Sequence, residues 1–263
     1  MTQESENSRG SDLPTSKGDS AIFVERKLGQ SPAKRLVLMR HAQILASHLG
    51  QLIGATEVPL DPSAEAQART LTGRVMRWGP QVCYCSPMQR CRQTAAAVAP
   101  QLPPHLDADL REIDFGQWET RVFADIVAQE SALLDRWAAF DLDFTFPGGE
   151  RVGDFLRRIE AAADRLIHAE AETVLAVAHG GVIRAMICHL LGLEPRKYVA
   201  FRVPYATMVV IDLFDGKGVL AALEQPEIVG GDSSRRLGGQ VPTESPTGVA
   251  SYNKIATAEG DHG

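Results

Sequence analysis

Two short apolar runs, Leu36–Met39 and Val174–Ala178, each stop abruptly at a histidine, in RLVLMRHAQ (Arg35–Gln43) and TVLAVAHGG (Thr173–Gly181). Runs of this length without polar alternation suit parallel strands buried on both faces. Parallel neighbours need crossover helices, so the two runs predict an α/β fold: a three-layer sandwich, with a mostly parallel central sheet and helices on both faces. If both strands are central, His41 and His179 project from carboxyl ends, where open α/β sheets keep their ligand crevice.

The rest of the chain fits that frame. Asp61–Pro62 is a helix start, with a capping side chain and Pro at the first helical position, and Ala64, Ala68, Leu71 and Val75 then share a face. Gln81–Cys85 reads as a strand and Ser86–Ala99 as the helix after it, closed by Pro100. Leu106–Glu112 reads as a third extended stretch. Phe115–Gly153 carries the densest aromatic content around a helix marked by Val122, Ile126 and Leu133. Phe155, Ile159, Ala163 and Leu166 mark the crossover helix into the second histidine strand, and Val182–Leu191 a helix stopped by Gly192. Met208–Leu213 and Val219–Leu223, joined by Asp215–Gly216, read as a hairpin.

Residues 1–33 and 225–263 are rich in Gly, Ser, Thr, Pro and charge, with too few apolar groups to offset the entropy of ordering them. The expected organisation is therefore a disordered arm over 1–33, one domain over 34–224 and a disordered tail over 225–263, with Ala21–Val24 as a short strand if it is anything. With 44% hydrophobic and 23% charged residues the chain is of the globular class. A net charge of −6 and a pI near 5.7 argue against broad binding to nucleic acid or an anionic membrane. Any anion site must be a local basic pocket. No stretch is apolar over a membrane's thickness and the amino terminus lacks a signal-peptide core, so a cytoplasmic location is expected. Cys83, Cys85, Cys91 and Cys188 are too few and too scattered for a disulfide framework and are read as reduced, buried thiols. A homodimer is compatible with all of this.

Arg40 stands directly before His41, and a fixed cation beside an imidazole suits a phosphate better than a packed core. The Arg40–His41 pair, SPMQRCRQTA (Ser86–Ala95), the LRE of Leu110–Glu112 and the late His179–Gly180 resemble, in order and across roughly Arg35–Leu223, the histidine phosphatase superfamily, whose fold is termed phosphoglycerate mutase-like. The resemblance implies a phosphomonoester hydrolase that works without a metal or other cofactor on a small-molecule phosphate monoester. His41 would be the nucleophile, passing through a phosphohistidine. Arg40, Arg90 and His179 would surround the phosphoryl oxygens, with Gly180 at the start of a helix whose positive end adds to them. Nearby cations disfavour the imidazolium and so keep His41 nucleophilic, and its other nitrogen needs a backbone acceptor to set the tautomer. Glu112 would give the leaving alkoxide its proton and later take one from water.

This sequence departs from the superfamily's commonest signature at Ala42, Gln43, Ile44 and Ser47. Gln43 and Ser47 remain candidate substrate contacts; Ile44 lacks a hydroxyl for phosphate. Arg92 and Arg184 are read as surface or structural groups. LREIDFGQWE (Leu110–Glu119), the later WAAF and GGE segments and FRVPYATMVVIDL (Phe201–Leu213) look most like the superfamily's α-ribazole phosphatases, which act on a nucleotide-like precursor of the cobalamin lower ligand. Such a base needs aromatic walls, for which Phe115, Trp118 and the Phe144–Phe146 loop are the candidates. The competing readings are a broad-specificity sugar phosphatase, a phosphoglycerate mutase, a silent phospho-ligand binder and a metallohydrolase. No histidine pair has the spacing of a known metal site.

Overall fold

Strand β1 (Lys34–Arg40) sends Leu36 and Leu38 into one core and Val37 and Met39 into another, none more than 1% exposed. A strand apolar on both sides must be covered on both. In the computed structural model, which describes residues 31–226, it is covered by two helical layers. The expectations for residues 1–30 and 227–263, including a strand at Ala21–Val24, lie outside the described residues.

The sheet has six strands in the order β3 (Pro104–Leu106), β2 (Val82–Cys85), β4 (Thr173–Ala178), β1, β5 (Met208–Phe214) and β6 (Lys217–Glu224). The first four are parallel; β5 runs antiparallel to β1, and β6 antiparallel to β5. The two histidine strands are immediate neighbours, with Leu36 opposite Val174 and Arg40 opposite Ala178. His41 N then donates to Ala178 O at 2.9 Å, so both histidines leave the sheet at the same level. Asp215 and Gly216 turn the closing hairpin with φ of 49° and 76°, as Asp-Gly turns do.

Helices α1 (Pro62–Thr70), α2 (Thr72–Met76) and α3 (Gln89–Val98) pack on the Val37 side. On the Leu36 side lie α4 (Phe123–Gln129), α5 (Ser131–Ala138), α6 (Val152–His168) and α7 (Gly180–Leu190). Cys83, Cys85 and Cys91 face the Val37 core; all four cysteines are free and buried. Burial pushes the thiols of Cys83 and Cys91 up to about 12, which leaves them inert. Among the described residues no helix is long and apolar enough to cross a membrane.

Three expectations need correction. The helix expected from Asp61 through Val75 is two, α1 and α2. Asp61 caps the first by accepting from Ser63 N, but at the junction the hydroxyls of Thr70 and Thr72 bond back to Gln67 O and Arg69 O, the local competition that weakens helices. The helix marked by Val122, Ile126 and Leu133 is likewise split, into α4 and α5. Glu130, between them, has φ −135° and ψ 38° and gives its carboxylate to Trp118 Nε1 and Arg121. Lastly, Leu106–Glu112 is extended only through Leu106. Asp107 then caps a 3-10 turn, Ala108–Leu110, through Asp109 N. Glu112 therefore stands on a loop.

Candidate active site

His41 and His179 meet edge to face, ring centroids 5.2 Å apart, and both rings are nearly closed off from solvent. His41 Nδ1 lies 2.8 Å from Ala42 O. A carbonyl only accepts, so Nδ1 carries the proton and Nε2 keeps its lone pair. Burial, then the charges of Arg90 and Arg40, hold the pKa of His41 well below its ordinary value. Desolvation, invisible in sequence, is thus the larger cause, and the cations foreseen there come second. His179 is held low by burial and Arg90.

His179 differs from expectation in one respect: both its nitrogens are engaged within the protein. Nδ1 accepts from Arg90 Nε at 3.2 Å, and Nε2 is 2.8 Å from Ser86 Oγ. The arginine fixes the tautomer with the proton on Nε2. Donation to a phosphoryl oxygen thus requires exchanging Ser86 for the ligand. Ser86 sits at the end of β2, where sequence offered only a Ser-Pro helix start.

The two arginines are held differently. Arg90, in the first turn of α3 and without exposed surface, donates from Nη1 to Thr56 O at 2.9 Å and from Nη2 to Gly54 O at 2.7 Å. Three of its five N–H groups are thereby used. Arg40 donates from Nη1 to Val203 O at 2.6 Å, and its guanidinium lies 4.1 Å from the Tyr205 ring centroid. Its Nε is buried and has no hydrogen-bond partner. Leaving such a donor unpaired costs roughly 1–3 kcal/mol, a debt an anion's oxygen would cancel. Tyr205, 5.5 Å from His41, lies in a stretch quoted for its resemblance, but nothing in the sequence marked its ring as part of the site.

Glu112 completes the ring of groups from the far side. Its Oε2 accepts from Gly181 N at 2.9 Å and its Oε1 from Ile113 N at 3.1 Å. The carboxylate is seated so tightly on the first turn of α7 that a Cβ on Gly181 would fall 2.4 Å from Oε1. A Cβ on Gly180 would lie 3.4 Å from the Arg40 guanidinium, so both glycines let charged groups approach the helix end. Arg158, from α6, clamps the loop carrying Glu112. It donates to the carbonyls of Asp109, Arg111 and Glu112 at 2.7, 2.8 and 3.1 Å and pairs with Glu150 at 2.7 Å.

The structure thus brings Arg40, His41, Arg90, Glu112, His179 and Gly180 together, while Gln43 and Ser47 stand on the segment that follows His41. Both are exposed, and neither side chain is hydrogen-bonded to the cluster. Between them Ile44 turns inward, 2% exposed, and bridges to Leu60. Ala42 has no positive φ and gives its N–H to Thr94 Oγ1 at 2.9 Å, which makes the loss of glycine there harmless. Arg92 is exposed, as expected. Arg184 is not at the surface alone: it donates to Gly180 O and lies 4.9 Å from the Tyr198 ring centroid. Among the described residues no three His, Cys, Asp or Glu side chains gather as an ion-binding set.

Beside Glu112 and Gly181 a recess open to solvent is lined by Phe115, Trp137, Phe140, Phe155, Tyr198 and Arg184. The aromatic walls expected at Trp118, Phe144 and Phe146 are elsewhere: all three have no exposed surface and belong to the Leu36-side core. Only Phe115 of the expected set faces the cavity. Trp118 lies in a 3-10 turn and Phe115, Phe144 and Phe146 on loops, where no periodicity shows which way a side chain turns.

A sheet end that gathers guanidiniums serves anions, and a buried neutral imidazole with an open nitrogen serves covalent transfer; together they define a phosphatase. The chain belongs to the histidine phosphatase superfamily (branch 1), whose family model matches residues 36–226. It is 30% identical over 193 residues to the adenosylcobalamin/alpha-ribazole phosphatase of Salmonella typhimurium, covering 72% of this chain and 95% of that one. To phosphoserine phosphatase 1 of Hydrogenobacter thermophilus it is 27% identical over 192 residues, covering 72% and 91%. The crystal structure of the alpha-ribazole phosphatase from Shigella flexneri superposes with a TM-score of 0.65 at 28% identity, covering 73% of this chain and 96% of that one. The phosphoglycerate mutase-like sandwich and the hydrolase class are therefore those that the resemblance implied.

Proposed function

We propose that the enzyme hydrolyses a nucleotide-like phosphate monoester, of the α-ribazole 5′-phosphate kind, through a phosphohistidine on His41. Nε2 of His41 attacks phosphorus in line with the ester oxygen, the phosphorus–oxygen bond breaks, and Glu112 gives its proton to the departing alkoxide. Water then loses a proton to the Glu112 carboxylate and attacks phosphorus; the phosphorus–nitrogen bond breaks and inorganic phosphate leaves. Arg40, Arg90 and the start of α7 hold the phosphoryl oxygens throughout.

The observation that carries the substrate class is the aromatic cavity opening from Glu112. The group that protonates the alkoxide must face the alcohol portion, so that portion occupies this cavity. Its walls suit a flat apolar heterocycle. A second reading, a small ester bearing a carboxylate such as phosphoserine, is favoured by Arg184 in the lining, which has no acidic partner within hydrogen-bond reach among the described residues.

The experiment is a comparison of kcat/KM for α-ribazole 5′-phosphate, phosphoserine, 3-phosphoglycerate and sugar phosphates, each with and without a strong chelator. The proposal expects the aromatic ester to lead and the chelator to change nothing. A lead for phosphoserine or a sugar phosphate overturns the substrate while leaving the mechanism. Failure of rapid quenching to trap an acid-labile phosphoprotein, lost in His41→Ala, would overturn the mechanism.

A further inference from the structure

We propose that Glu119 is a positioning residue of the phosphate site, acting through Arg90. The inference rests on the reading of Arg90 as a phosphate-holding cation. Glu119 closes the LREIDFGQWE run and touches none of the groups in the cluster, yet its carboxylate is the most heavily used in the neighbourhood. Oε1 accepts from Ala55 N at 2.8 Å and from Phe115 N at 3.1 Å; Oε2 accepts from Thr56 N at 3.1 Å and Thr56 Oγ1 at 2.6 Å; and Gly54 N is 3.1 Å from both. A carboxylate has about four lone-pair sites, so this one is filled.

Three successive N–H groups converging on one anion form a nest. Residues 54–56 make no backbone-to-backbone hydrogen bond among the described residues, and the side chain of Glu119 substitutes for a sheet or helix ladder there. Gly54 is required by the same packing: a Cβ would fall 1.9 Å from Ile113 O and 2.6 Å from Glu119 Oε1. The peptide units whose N–H groups turn toward Glu119 flank the carbonyls of Gly54 and Thr56, and these two carbonyls hold the Arg90 guanidinium. From Arg90 the chain of contacts runs through Nε to His179 Nδ1. One carboxylate thus orients the loop that orients the arginine. Through Phe115 N it also ties that loop to the segment following Glu112.

The test is a double-mutant cycle on the full chain, reading kcat/KM for an aryl phosphate, which needs no proton from Glu112, and competitive inhibition by inorganic phosphate. Glu119→Gln keeps the size but sets an amide N–H2 against N–H donors. Since losing a preorganised donor outright costs on the order of a hundredfold, displacing one should cost about tenfold in both readouts. In the Arg90→Ala background the same change should cost less than about twofold, because residues that act through one another are not additive. Equal losses in both backgrounds, or unchanged kinetics with only a lower Tm, overturn the proposal. If Glu119→Gln does not fold, Thr56→Val removes one donor to the same carboxylate. Weaker phosphate inhibition that vanishes in the Arg90→Ala background supports the proposal, and unchanged inhibition overturns it. Wild-type phosphate inhibition in Arg90→Ala alone strikes the reading of the site itself, and the proposal with it.

Discussion

On the proposed mechanism His41 and Glu112 divide the chemistry by what surrounds each. The imidazole is stripped of water and flanked by two guanidiniums, so it stays neutral at a pH where a free histidine would be charged. With the substrate's own second ionisation, at about pH 6, divided out, the acid limb of kcat/KM should lie well below the ordinary imidazole value of 6.5. Turnover falling off at 6.5 or above would show that His41 is not the group whose neutral form is needed. Glu112 is instead held by the Gly181 N–H at the start of α7 and by the Ile113 N–H of its own loop. Glu112→Gln keeps those contacts in part and loses the proton, so turnover of alkyl phosphates should fall about 10²–10⁴-fold and that of aryl phosphates far less. Equal losses for both ester types would make Glu112 a binding group. At this scale the sequence was legible where chemistry forces a residue type: a guanidinium before a strand-end imidazole has few structural uses. It was not legible at Ile44, because whether a loop residue turns in or out depends on packing, which has no local signal.

The elements that carry these residues were legible in proportion to how continuous their pattern is. The four apolar residues of β1 and the five of β4 suit central strands, and central parallel strands bring their carboxyl ends together, which is why the histidine pair could be read from the pattern. The helices around Leu71 and Glu130 and the turn after Leu106 were misread because side chains there override the period: threonines bonding back, a glutamate pinned by Trp118, an aspartate capping. At the start of α7, Gly181 is needed for closeness and not for φ, since its missing Cβ is what admits the Glu112 carboxylate. The atom a new methyl group would meet is the end of a flexible side chain, which can move aside cheaply. Gly181→Ala should therefore leave Tm within a few degrees of wild type while lowering alkyl-phosphate turnover nearly as far as Glu112→Gln does. A large loss of Tm would show instead that the helix start itself had been broken.

The whole molecule stabilises its site against solvent, and this links its folding to pH. His41 and His179 are 5% and 1% exposed, and both have pKa values held well below 6.5 by burial and by Arg90. Unfolded, each would titrate near 6.5 and bind a proton below it; folded, neither does until the pH reaches its depressed value. The unfolded chain thus holds more protons between those limits, and stability must fall as pH falls. Above 6.5 the term is absent as a penalty; below it, each histidine withdraws up to about 1.4 kcal/mol per pH unit until its folded form titrates. Urea unfolding at pH 7.5, 6.5 and 5.5 should show the midpoint dropping across the lower interval and nearly level across the upper one. Replacing His41 with Asn should shallow the lower slope, because one of the two proton acceptors exposed on unfolding is gone. A lower interval as flat as the upper one would mean that the pocket admits protons without unfolding, and that the two imidazoles titrate in the folded protein near their ordinary 6.5. His41 would then keep its neutral lone pair only above that pH, and the acid limb of kcat/KM would have to rise to match.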